Sequence, residues 1–191
     1  MSSQPDPSRP GPRPRFTREQ VLAAALRVID REQPDAFTMR RVADELGVGV
    51  MTLYGYVRNK DEILEGVTAL AIAAEPEPAA GASWDERLRG DAELLYALCR
   101  RHPNLVRLVM RQASGAPGLG QVRERMREAL EGAGFGELAA QHALGALTSY
   151  AIGFGALAFR HGSADVPAHL SDAAFAYGLD LVLGGLRAEL G

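Results

Sequence analysis

The sequence predicts an all-α protein, and three observations predict it. Apolar residues recur at three- and four-residue spacing in one segment after another. Capping residues stand at the heads of those segments. No stretch keeps the strict alternation of a half-buried strand, and aromatics make up only 6% of the chain while Ala and Gly abound, which suits close-packed helices over a β-sandwich.

The elements follow in order. Residues 1–15 carry five prolines and few apolar groups, so they read as a disordered arm, and from Pro7 to Arg18 there are four arginines and no acid. Thr17 with Gln20 forms a capping box, Phe16 and Val21 a hydrophobic staple, and Leu22, Ala25, Leu26 and Ile29 the stripe of a first helix over 17–32. Thr38 heads a second helix whose inner face is Met39, Val42, Ala43 and Leu46, and Gly47 stops it. A short third helix is expected over 49–56. Asn59 caps a fourth, with Asp61 and Glu62 in the first turn, where the helix dipole favours acid. Glu75 to Ala82, with Pro76 and Pro78, reads as a linker, giving units at 16–75 and 83–191. Further helices are expected over 83–101, 103–112, 119–131, 136–160 and 168–189, with loops at 114–118 and 161–167.

Composition excludes several classes of function. With 47% hydrophobic and 24% charged residues, this is an ordinary globular composition. No run of about 18 apolar residues is present, so no membrane span is expected, and a cytoplasmic protein is. Cys99 is the single cysteine, which rules out an internal disulfide and a cysteine-rich zinc site. His102, His142, His161 and His169 lack ligand-like spacing, so neither metal nor cofactor is expected. No Ser/His/Asp or Cys/His grouping, paired carboxylates or phosphate-cradling loop points to an enzyme.

Net charge is −3, unfavourable for nucleic acid on its own, but residues 1–64 hold ten Lys/Arg against nine Asp/Glu and the remainder eleven against fifteen. Screening makes such local charge matter more than the total. Between Val42 and Leu53 the spacing is that of a helix-turn-helix. Ala43 is small where two helices cross, Gly47 tolerates φ > 0 in the turn, and Val48 and Leu53 anchor the third helix. An ordinary αα-hairpin shares this outline. The outer face of the third helix, however, carries Thr52, Tyr54 and Tyr56, hydroxyls that suit phosphate. Lys60, the only lysine, stands at a helix N-terminus that already attracts anions.

The residues Thr38-Met39-Arg40-Arg41-Val42-Ala43, Leu46-Gly47-Val48, Thr52-Leu53-Tyr54, Val57 and Asn59-Lys60-Asp61-Glu62-Ile63-Leu64 resemble the DNA-binding domain of the TetR (tetracycline-repressor) family of bacterial regulators. With the first helix, the resemblance covers roughly 17–70. It implies an N-terminal three-helix helix-turn-helix DNA-binding domain followed by a C-terminal helical regulatory and dimerisation domain. It further implies a homodimer on a palindromic operator in double-stranded DNA, released by a small effector. Thr38 and Arg40 match positions where the second helix approaches DNA. Val50, Met51 and Thr52 lie on the recognition helix, and Tyr54, Tyr56 and Lys60 match backbone or nearby base contacts. Val50 and Met51 are apolar where some relatives carry polar base readers, so base choice is expected to rest on methyl contacts and Arg40. An activator, or a DNA-binding protein without a ligand, stays open.

The resemblance also implies a pocket in 83–191, for which Leu98, Met110, Met126, Tyr150 and Phe154 are candidates, and no polar constellation stands out, so an apolar or aromatic effector is expected. Gly145, Gly153, Gly155, Gly178, Gly184 and Gly185 lie inside the last two helices. Each costs about 0.5–1 kcal/mol relative to alanine there, so close helix–helix approach, as in the family's four-helix dimer interface, is expected.

Overall fold

A computed structural model describes residues 16–76, 81–111, 118–160 and 166–190. The arginine-bearing arm and the greater parts of the loops expected at 114–118 and 161–167 lie outside them. Among the described residues the fold is all-α, with nine α-helices and two single 3-10 turns.

The head of α1 (Arg18–Arg31) carries the expected capping box, in which Gln20 N–H donates to Thr17 Oγ1 at 3.1 Å and Thr17 N–H to Gln20 Oε1 at 2.8 Å. Pro34–Ala36 makes a 3-10 turn. Thr38 then caps α2 (Met39–Leu46), accepting from Arg41 N–H, and Gly47 ends it in the left-handed region at φ 64°. The third helix is shorter than its expected 49–56. Only Val50–Leu53 is α-helical (α3), and the chain continues to Tyr56 in tight turns because Gly55 and Tyr56 bond back three residues, to Thr52 and Leu53. Asn59 caps α4 (Lys60–Ala73) by accepting from Glu62 N–H at 2.8 Å.

Five helices follow: α5 (Trp84–Arg101), α6 (Pro103–Met110), α7 (Gly120–Gly132), α8 (Glu137–Ala158) and α9 (Asp172–Leu190). The last helix was expected from 168. Instead Ala168–Leu170 forms a 3-10 turn and α9 starts after Ser171. Pro167 favours a turn at this point, and the Ser171 hydroxyl accepts from Ala174 N–H.

One continuous apolar cluster runs from Val21 and Leu22 through Leu53, Ile63, Leu95 and Leu130 to Leu183. Helix α5 packs on α6, α7, α8 and α9 in the centre of the C-terminal half, while α1 packs on α2 and α4. Helix α6 joins the halves, touching α1 and α4 on one side and α5 and α8 on the other. Polar side chains fix this junction. His102 Nδ1 donates to Asp30 at 2.9 Å, and Asn104 Nδ2 donates to the carbonyls of Ile29, Asp30 and Glu32 at 3.1, 3.4 and 2.9 Å. Those carbonyls are the end of α1, which lacks intrahelical partners, so Asn104 caps a helix 72–75 residues away. Near the expected linker, Glu75 is buried with its carboxylate 2.8 Å from Arg101.

Candidate nucleic-acid interface

The helix-turn-helix is built on four fully buried anchors, Val42, Ala43, Leu53 and Val57. With these turned inward, α3 presents the opposite side chains to solvent. Met51 is 83% exposed and Tyr54 45% exposed, and Thr52 is exposed beside them. Val50 is half-buried against the core, so of the two apolar candidates for base choice only Met51 stands fully outward. Arg40 is exposed on α2 and makes no ion pair among the described residues. Thr38 is exposed, though its hydroxyl oxygen already accepts the α2 cap bond.

Two candidates are tied to their own chain. Lys60 Nζ donates to the carbonyl of Phe37 at 3.1 Å and lies 5.1 Å from the centre of the Phe37 ring. Its charge therefore clasps the head of α4 to the α1–α2 connection, a cation–π contact with a hydrogen bond. The phenolic oxygen of Tyr56 accepts the backbone N–H of Phe16 at 3.2 Å, which still leaves its own proton to donate.

One organiser of this face was missed by sequence reading. In the sequence Glu62 stands out for its place in a helix's first turn and in the Asn59 to Leu64 run, and neither shows what it holds. Its carboxylate accepts from Arg58 N–H at 2.8 Å, Arg58 Nε at 3.1 Å and an Arg18 guanidinium nitrogen at 3.2 Å. The Arg58 backbone bond above all, with the two guanidiniums, holds its pKa at about 2, well under the ordinary 4.5. A carboxylate lowered on folding stabilises the protein above its unfolded pKa and loses that contribution as pH falls through the folded one. Thermal melts of Glu62→Gln should therefore fall less steeply than those of the unaltered chain between pH 4.5 and 2. Parallel curves would show that Glu62 does not tie these elements.

The expected pocket residues separate into three places. Leu98 and Met110 line a small cleft, partly open to solvent, together with Thr68, Cys99, Leu105, Val109, Leu119 and Ile152. Its walls offer no spare donor or acceptor of consequence. The Thr68 hydroxyl is spent on the Leu64 carbonyl at 2.7 Å, and burial pushes the Cys99 thiol up to about 12. Tyr150 and Phe154 instead join Tyr96, Phe159 and Phe175 in an aromatic cluster, where Phe175 stacks on Tyr96 at 4.0 Å and on Tyr150 at 5.5 Å between ring centres. Met126 is fully buried in the core.

The glycines divide likewise. A Cβ at Gly155 would lie 2.6 Å from that of Cys99, and one at Gly178 would run into the Tyr150 ring, so both serve contacts within the chain. At Gly145, Gly153, Gly184 and Gly185 a Cβ would meet nothing within 4 Å. Leu138 and Leu157 on α8, with Tyr177 and Leu181 on α9, are exposed. Among the described residues no group of acidic, cysteine and histidine side chains is placed to hold a metal, and no helix is long and apolar enough to cross a membrane.

Two family models match the chain, "Bacterial regulatory proteins, tetR family" over residues 21–67 and "Tetracyclin repressor-like, C-terminal domain" over 76–169. A similar curated relative is the HTH-type transcriptional repressor DrrR1 of Streptomyces coeruleorubidus, 39% identical over 104 residues, which are 53% of this chain and 38% of that protein. The chain thus spans about two fifths of that relative's length. Among solved structures, BioQ with its natural double-stranded DNA operator is 26% identical with a TM-score of 0.72, covering 91% of this chain and 99% of BioQ. A TetR variant from Acinetobacter baumannii AYE in complex with minocycline is 26% identical with a TM-score of 0.75, covering 93% and 99%. Between them the two models span most of the chain and both of its halves, and the chain belongs to the TetR family of bacterial regulators.

Proposed function

We propose that this protein is a ligand-responsive transcriptional repressor that binds a palindromic operator as a homodimer. The observation that carries the reading is the outward face of α3 and its C-terminal cap, where Met51 and Thr52 on the four-residue helix and Tyr54 just after it are exposed while Val50 and Leu53 turn inward. So short a helix contributes little packing of its own, and its exposed phenol and threonine suit the edge of a major groove. The operator-bound BioQ structure supports the reading, because it matches nearly the whole chain.

In this scheme residues 16–75 hold the DNA-binding unit, 83–191 the ligand-binding and dimerisation unit, and the chain works in the bacterial cytoplasm without enzymatic activity. Thr38, Arg40 and Tyr54 position the protein on phosphates, with Tyr56 and Lys60 beside them. Met51, Thr52 and Val50 meet the bases. The exposed apolar residues and open glycines of α8 and α9 form the contact between copies, which two-fold symmetry makes self-complementary. The cleft lined by Leu98 and Met110 takes an apolar effector. An effector that favours a conformation unable to span two half-sites lowers DNA affinity by population shift.

A mobility shift on the DNA flanking the protein's own gene tests this. The unaltered chain should retard a palindromic duplex. Tyr54→Ala should weaken binding roughly tenfold on every retarded sequence, the size of one lost hydrogen bond to a charged group. Equal affinity for Tyr54→Ala, or no retardation of any palindrome, would refute the docking.

A further inference from the structure

We infer that the apolar cleft where α4 meets α5, α6 and α8 accepts a short, uncharged alkyl end and turns away both aromatic rings and charged groups. This rests on the effector-responsive reading above and names the chemical class of the effector, a molecule that carries such an end.

The walls decide the chemistry. Leu105, Val106 and Val109 on α6 and Ile152 on α8 bring branched aliphatic side chains to the cleft, and Cys99 and Met110 bring sulfur. Among the described residues that line it none carries a charge, and no nitrogen or oxygen faces the space. The one hydroxyl in the wall, that of Thr68, donates to the Leu64 carbonyl at 2.7 Å. A carboxylate or ammonium entering here would leave its water and gain no partner, a loss that apolar contact does not offset. No lining residue is aromatic either. Tyr96, Tyr150, Phe154 and Phe175 pack on one another instead, so an aromatic ligand would find no ring to stack on.

The space decides the shape. Its free volume is about 30 Å³, room for two or three water-sized groups at about 10–15 Å³ each. A methyl or methylene is close to that size, so a chain end of about three carbons fills the cleft, while a benzene ring brings twice as many atoms. Two walls cannot draw back without moving backbone. A Cβ at Gly118 would lie 2.6 Å from that of Thr68, and one at Gly155 would lie 2.6 Å from that of Cys99, so both residues are already pressed from behind. Met110, by contrast, is 59% exposed, and its unbranched thioether leaves the remainder of a longer molecule a way out to solvent.

A series of n-alkanols tests the inference, read from the methyl NMR signals of Val106, Val109 and Ile152 in the full chain. From ethanol to 1-butanol affinity should rise roughly fourfold per added methylene, the worth of burying one, and then level off as further carbons stay outside. Benzyl alcohol should bind roughly tenfold more weakly than 1-butanol, having lost the burial of about two methylenes, and butyrate at pH 7 should leave the signals unmoved. Val109→Leu adds a methylene to the wall and Ile152→Val removes one. The levelling point should come one carbon earlier in the first and one carbon later in the second, and Ile152→Val alone decides if Val109→Leu does not fold. Affinity that keeps climbing to 1-octanol overturns the inference, as does benzyl alcohol or butyrate binding as tightly as 1-butanol. A levelling point that Ile152→Val leaves in place would put the alkanols elsewhere and overturn it too. Operator binding keeps the two readings apart. Saturating 1-butanol should lower affinity for a retarded palindromic duplex, and butyrate at the same concentration should not. Alkanols that show the length limit and leave DNA affinity unchanged would uphold the chemistry of the cleft and overturn the effector-responsive reading.

Discussion

Gly118→Ala is expected to lower the stability of the protein by about 3 kcal/mol, combining a left-handed backbone penalty with overpacking. Gly118 has φ +89°, a region that costs an alanine about 1–2 kcal/mol. A Cβ there would also lie 2.6 Å from the Glu65 carbonyl oxygen and 2.6 Å from the Thr68 Cβ. Neither neighbour yields easily. The first is backbone inside α4, and the second belongs to a buried side chain whose hydroxyl is bonded to Leu64. Either α4 or the segment entering α7 must move, and overpacking of this kind costs about 1–3 kcal/mol. For a chain of this size the midpoint of thermal unfolding should drop by about 10 °C. Gly134→Ala separates the two causes, because Gly134 has φ +105° with nothing within 4 Å of a Cβ. It should lose only the backbone share. Equal losses for both variants would mean that the segment before α7 does not press on α4. Since Thr68 and Leu119 both line the apolar cleft, Gly118→Ala should also alter whatever the cleft binds.

What the sequence made legible was local. The Thr17/Gln20 capping box, the Thr38 and Asn59 caps and the Gly47 stop are written in residues three or four apart, and each appears where its chemistry places it. The crossing of α2 and α3 was legible for the same reason, as Ala43, Gly47 and Leu53 fall within eleven residues. The illegible features join residues far apart. Nothing near Asn104 announces that it caps α1, and nothing near Phe37 announces that its carbonyl takes the amine of Lys60. Helix periodicity likewise marks Tyr96, Tyr150 and Phe175 as inward residues without revealing that they stack on one another, because α5, α8 and α9 meet only through tertiary packing. Lys60 shows the consequence for site reading. A cation at a helix head suggests an anion site, yet a carbonyl and a ring of the same chain already hold it in place. The Phe37 carbonyl takes one of its three N–H donors, so a phosphate would meet an amine whose position Phe37 sets.

Leu53→Ala and Met51→Ala should separate the two jobs that α3 performs with opposite sides of a single helical turn. Leu53 is fully buried and is the single α3 side chain sunk wholly in the core, while Met51 is 83% exposed. Truncating a fully buried leucine costs about 2–5 kcal/mol through lost transfer energy and the cavity left behind. A four-residue helix has almost no intrinsic stability with which to absorb that loss, since isolated helices shorter than about 12–15 residues are marginal. Leu53→Ala should therefore unmoor α3 from Val42, Ala43 and Val57, and specific DNA affinity should fall at least 100-fold, a change of about 2.7 kcal/mol or more. Far-ultraviolet helicity should barely change, because α3 contributes only four helical residues. Met51→Ala should leave thermal stability within about 0.5 kcal/mol, the usual range for an exposed position. Its effect should appear in base preference, as a loss of discrimination at a thymine methyl with little change on other sequences. Competition binding over a set of single-base operator variants distinguishes the two. A Met51→Ala protein that weakens evenly on every sequence would place its side chain on the DNA backbone. A Leu53→Ala protein that binds normally would mean that α3 keeps its position without its buried anchor.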